Sequence, residues 1–114
     1  MQLTSPTGRY LIQVVAREMR MSHWVEAPEL VDTVRGETLL CLQSGLWSLE
    51  AATWEGDTSV RMRLRRYPGA SPHAQVDLRV DCAAGTASVQ EGGACRLADV
   101  EATLESILER RGNA

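Results

Sequence analysis

Apolar and polar residues alternate through the middle of the chain. Val60, Met62 and Leu64 alternate with Arg61, Arg63 and Arg65, and Val76, Leu78 and Val80 alternate with Asp77, Arg79 and Asp81. A period of two marks a strand with one face in a core and the other in water. Two apolar runs precede these, Thr38 to Gln43 and Leu46 to Trp54, parted by the turn Ser44-Gly45; Glu55-Gly56-Asp57 then leads into a third strand, Thr58 to Tyr67. With Gln75 to Cys82 as the fourth, the pattern predicts a four-stranded antiparallel meander. Arginines of the third strand then face acids of the fourth, and such cross-strand pairs, worth a few tenths to about 1 kcal/mol each, set register more than stability. Trp47 and Trp54 fall on opposite faces of a regular strand, which exposes one of them as an interface residue unless a bulge returns both to the core.

The ends read differently. Leu97, Val100, Leu104, Ile107 and Leu108 form an apolar stripe at helical spacing, with Glu101, Glu105 and Glu109 on an outer, solvated face. Arg110 and Arg111 suit the negative end of the helix dipole, and Gly112 is a natural stop. Near the N-terminus, Ser5-Pro6 can cap a helix whose face carries Leu11, Ile12, Val15 and Met19. Tyr10 to Val15 is also β-branched enough to be a strand, and periodicity over so short a run does not separate the two. Glu26-Ala27-Pro28-Glu29 interrupts the helical pattern, because a residue before proline is pushed out of the helical region. The expected fold is therefore α+β: an N-terminal helix (or strand), the four-stranded meander, and a C-terminal amphipathic helix packed on the sheet. Residues 1–114 form one domain, long enough for one core and too short for two.

Composition narrows the function classes. The chain is 44% hydrophobic and 24% charged, an ordinary soluble balance, and no apolar run approaches a membrane span. Its start carries no basic and apolar leader, which makes the cytoplasm the expected compartment. Three cysteines without metal spacing read as reduced thiols and predict no metal or cofactor. A Cys82–Cys95 disulfide needs Thr86 to Gln90 to double back, and a reducing compartment disfavours it. All twelve basic residues are arginine, and phenylalanine is absent, a bias that suggests a GC-rich bacterial genome. A net charge of −3 offers no general attraction to nucleic acid or anionic membrane, and the arginine strand has only Tyr67 as an aromatic neighbour. Walker, Rossmann, zinc-helix and Ser-His-Asp patterns are absent from the sequence.

One ordered set of motifs stands out. Tyr67-Pro68-Gly69-Ala70-Ser71-Pro72 lies between two predicted strands, and Gly92-Gly93-Ala94-Cys95-Arg96-Leu97 leads into the last helix. With Trp54-Glu55-Gly56 at the second turn, this order resembles the core of ubiquitin-conjugating enzymes and of the related RWD domains, from Thr38 onward. The resemblance implies that Cys95 carries a ubiquitin-like protein as a thioester, received from its activating enzyme and passed to an acceptor. Tyr67, Pro68 and Pro72 would form the supporting loop, with His73 in reach of the site. Gly92 and Gly93 would let the backbone approach the thiol, and the nearby helix N-terminus would favour a thiolate. The chain departs from the family between Val80 and Gly92, where no His-Pro-Asn occurs; the asparagine is the usual oxyanion donor, and loss of one such donor typically costs about 10²–10³ in rate.

Two other readings stand beside the bacterial conjugating enzyme. One is a non-catalytic RWD-like interaction module that docks a protein partner through Arg61, Arg63 and Arg65 or through the glutamate stripe. The other is an unrelated small immunity or antitoxin protein. Cys41, between Leu40 and Leu42, and Cys82, at a strand end, are expected to be structural, and Cys95 itself can also be a space-filling core residue.

Overall fold

The computed structural model describes residues 2–68 and 74–112. Among the described residues it is a meander of nine strands and one α-helix: β1 (Gln2–Thr4), β2 (Tyr10–Glu18), β3 (Trp24–Asp32), β4 (Glu37–Cys41), β5 (Trp47–Trp54), β6 (Ser59–Arg66), β7 (Gln75–Asp81), β8 (Thr86–Val89), β9 (Gly93–Arg96) and α1 (Val100–Gly112). The strands form two antiparallel sheets in strict chain order, β1-β2-β3-β4 and β5-β6-β7-β8-β9. This overturns the expected α+β fold on a single four-stranded meander. The predicted runs Thr38 to Gln43 and Leu46 to Trp54 do fall on strands, β4 and β5, but the intervening turn changes sheets. Gly45 sits in that turn at φ +68°, a conformation that favours glycine.

At the N-terminus the strand reading holds and the helix reading does not. Tyr10 and Ile12 are buried while Val15 is 40% exposed, so the helical stripe of Leu11, Ile12, Val15 and Met19 is not one face of anything. Aromatic and β-branched residues lose rotamer freedom in a helix and pack well on a pleat. Pro28 lies within β3, opposite Val14 of β2. β4 pairs with β3 only from Glu29 to Asp32, so at Pro28 the strand has a single hydrogen-bonded neighbour and a missing N–H is tolerated.

The second sheet contains the three later predicted strands plus β8, from the stretch between Val80 and Gly92, and β9, from the cysteine segment. In β5 the register shifts between Leu49 and Ala51. That bulge places Glu50 and Ala51 both toward solvent and reverses the parity beyond them. Trp47 is consequently fully buried, and Trp54 packs against the core and stacks on Tyr10 with ring centroids 6.5 Å apart.

One core unites both sheets and the helix, with Tyr10, Ile12, Leu30 and Leu40 from the first, Trp47, Met62, Leu64, Val76 and Val80 from the second, and Val100, Leu104 and Ile107 from α1. The apolar stripe of α1 is buried as its spacing predicts. Its acidic face is not simply solvated, which corrects that expectation. Glu101 accepts the backbone N–H groups of Gln43 (2.7 Å) and Ser44 (3.2 Å). Glu105 accepts Trp47 Nε1–H (3.0 Å) and Arg66 Nε–H (2.5 Å). Of the three glutamates Glu109 alone is exposed. At the far end Arg111 donates to the Gln75 carbonyl (2.6 Å) and to both carboxylate oxygens of Glu91 (2.8 and 3.1 Å).

The Arg111 hydrogen bonds hold the Glu91 carboxyl below its ordinary value of 4.5, against a smaller opposing effect of burial. A carboxylate with a depressed folded pKa stabilises fully above its unfolded pKa and loses that contribution as pH falls through the folded value. Glu91→Gln is therefore expected to lower stability near neutral pH, by a margin that shrinks as pH falls below 4.5 through the lowered folded value, as read by urea unfolding across that range.

Candidate functional site

Cys95 occupies the third position of β9, opposite Ala87 of β8. The cross-strand register continues from Ala87 to Val80, Val60 and Trp54, all directed to the core. The thiol thus belongs to the inner face of the sheet, half-buried and packed against the core. It lies on a strand, followed by a turn of 3-10 helix at Leu97–Asp99 and then by α1.

The loop residues lie elsewhere. Tyr67 and Pro68, joined by a cis peptide, follow β6 at the end remote from Val60. Seven residues of strand separate Tyr67 from the row that contains Cys95, roughly 23 Å at about 3.3 Å per residue. Tyr67 instead donates its N–H to the Leu46 carbonyl (2.8 Å) and meets the His23 ring edge-on, centroids 5.9 Å apart. Pro72 and His73 lie outside the described residues.

Gly92 and Gly93 shape the β8–β9 hairpin. Gly92 donates to the Val89 carbonyl (2.9 Å), and Glu91 and Gly93 take positive φ (67° and 73°). A Cβ on Gly92 would stand 2.8 Å from Thr103 Cγ2 and 3.1 Å from Ile107 Cδ1, so the hairpin approaches α1 as closely as a backbone can. Close approach is what glycine was expected to supply, but here it is to a helix.

The other thiols differ sharply. Cys82 is buried, and burial, assisted by the charge of Asp81, pushes its pKa up to about 11. Cys41, expected to be structural, is exposed on β4. It lines a groove of about 570 Å³ together with Glu29, Leu39, Leu97, Ala98 and Glu101, between β4 and the start of the helical segment. Among the described residues no group of three or more His, Cys, Asp or Glu side chains is placed to hold a metal. No helix of the described residues is long and apolar enough to cross a membrane.

The outer face of the second sheet carries the arginines, each beside an acid. Arg63 reaches Asp77 (2.8 Å), Arg65 reaches Glu50 (2.8 Å), and Arg61 and Arg79 share Glu55 (2.7 Å each). The predicted pairing of strand three with strand four is met by Arg63 and Asp77; Glu50 and Glu55, from β5 and the turn after it, serve the others. Each pair is solvent-exposed and adds little. Together they cancel the positive stripe.

What sequence reasoning missed is the tip of the β2–β3 ribbon. β2 and β3 stay paired past the end of β4; the turn between them carries Met21, 89% exposed, and Trp24, 58% exposed, opens β3. Met21 holds φ +62°, in the left-handed region. Trp24 borders a small cleft of about 120 Å³ with Val25, Ser48, Glu50, Arg65 and Tyr67. Comparison of the chain with protein-family models, with curated proteins and with solved structures gives no match.

Two expectations follow from the placement of these residues. Gly92→Ala forces the hairpin away from Thr103 and Ile107, and is expected to cost about 1–3 kcal/mol in urea unfolding. Native alkylation followed by mass spectrometry should label Cys41 first, Cys95 more slowly, and Cys82 only as the protein unfolds.

Proposed function

We propose that this chain is a non-catalytic protein-interaction module that engages its partner through the β2–β3 ribbon tip. The observation that carries the reading is the exposed Trp24, flanked by Met21, Tyr67 and Arg65. Tryptophan, tyrosine and arginine are the residue types that dominate binding energy at protein interfaces, and methionine adapts to irregular partner surfaces. A partner offering an apolar pocket to the indole fits this chemistry. Nucleic acid fits poorly, because the arginines of the neighbouring sheet face are paired with acids and the chain is acidic overall. The thioester-carrier reading draws less support: Cys95 is on the inner face of its sheet and far from Tyr67.

The indole contributes little to the core, so Trp24→Ala should leave stability within about 1 kcal/mol of the parent. Its loss from an interface centre should weaken binding by roughly 30-fold or more. The test is quantitative capture from an extract of the source cells, comparing parent, Trp24→Ala and the sheet-face control Arg61→Ala. A protein retained in stoichiometric amount by parent and control but lost with Trp24→Ala is expected. Retention of the same proteins in the same amounts by all three would overturn the reading.

A further inference from the structure

The first sheet ends in β4, and β4 pairs with β3 alone. No backbone hydrogen bond among the described residues leaves its other edge toward a strand. Such an edge offers amide and carbonyl groups to any extended chain laid beside it, and native proteins usually blunt it with charge, proline or cover. Here the edge is bordered by a groove of about 570 Å³ whose floor is apolar, from Leu39, Leu97 and Ala98, and in which the Cys41 thiol stands exposed. Leu39 is the extra residue of a bulge between Leu30 and Val31 of the partner strand, and its side chain packs against the core.

The rim is acidic. Glu29 and Glu101 line the groove, Glu37 opens β4, and no arginine is among the lining residues described. Glu101 accepts the Gln43 and Ser44 amides and has no ion-pair partner among the described residues. Glu29 and Glu37 have no ion-pair partner among the described residues, in contrast to the paired acids of the second sheet. A second copy of this chain is a poor occupant, because pairing β4 with β4 across a twofold axis brings two sets of these carboxylates together, and like charges in juxtaposition oppose binding. We infer that β4 receives an extended, basic segment of a partner protein by strand addition, with main-chain hydrogen bonds supplying affinity, the apolar floor taking one side chain, and Glu29, Glu37 and Glu101 selecting lysine or arginine. This site is separate from the ribbon tip, which occupies the opposite end of β3.

The probe is a synthetic nine-residue peptide of alternating lysine and valine, with an alternating glutamate and valine peptide as control. Cys41 is the built-in reporter. The basic peptide is expected to slow Cys41 alkylation at least tenfold at saturation and to shift the backbone amide resonances of residues 37–43 and 97–101, whereas the acidic peptide does neither. Glu29→Arg and, separately, Glu37→Arg should each weaken the basic peptide by about tenfold, equivalent to 1.4 kcal/mol. Trp24→Ala should leave it unchanged, which separates this site from the ribbon tip. Unprotected Cys41, shifts centred on Glu50, Glu55 and Asp77 instead of β4, or charge-reversal variants that bind as the parent does would each overturn the inference.

Discussion

The apolar seam between the two sheets is the contact on which the rest depends: Tyr10 of the first sheet stacks on Trp54 of the second, β3 lies against β5, and α1 adds its stripe to the same core. Two sets of interactions act on the helix, and their magnitudes assign them different tasks. Val100, Leu104 and Ile107 are fully buried, and each such side chain is worth about 1.5–3 kcal/mol. The hydrogen bonds of Glu101, Glu105 and Arg111 involve charged groups but lie at a half-wet surface, so each is worth about 1 kcal/mol or somewhat more. Apolar burial therefore keeps the helix in place. The polar bonds decide where along the groove it rests, because Glu101 fits the turn between β4 and β5 and Glu105 fits the indole N–H of Trp47.

How much of this was legible in the residues depends on which physical signal each element carries. β6, β7 and α1 announce themselves because a single period runs through each, and one side of each is buried in one core. The first sheet was obscured by coincidence: Leu11, Ile12, Val15 and Met19 satisfy a helical spacing, while the strand uses Tyr10 and Ile12 inward and lets its far half run into solvent. β8 and β9 were hidden by composition. Thr86-Ala87-Ser88-Val89 and Gly93-Ala94-Cys95-Arg96 are small residues of modest strand preference, and they pair because a tight turn with two positive-φ residues brings them together. The change of sheet at Gly45 has no local signature distinct from an ordinary hairpin.

The candidate site shows the same division. Gly92-Gly93 before a cysteine suggests a support for a nucleophile, but the close approach that Gly92 allows is to Thr103 and Ile107 of α1. The order of motifs along the chain said nothing of the distance between them, and a row of four paired strands places Cys95 in line with Val60, not with Tyr67. Trp24 escaped notice because nothing around it in sequence distinguishes an exposed indole from a buried one. Exposure follows from the face of β3 it occupies, since Val25, one residue on and equally beyond β4, is buried on the other face.

The strict chain order of both sheets also bears on how the protein comes together. Within each sheet every strand pairs with the one before it, so each hairpin closes a short loop, and short loops cost little conformational entropy to close. Chains dominated by such local pairings fold faster than β topologies that must wait for distant strands. The longer spans join the sheets to each other and to the helix: Thr7 to Asp57 across 50 residues, and Glu101 to Gln43 and Glu105 to Trp47 across 58 each. The two sheets can thus zip from their own turns, which leaves the seam between them and the docking of the helix as the contacts that close the longest loops.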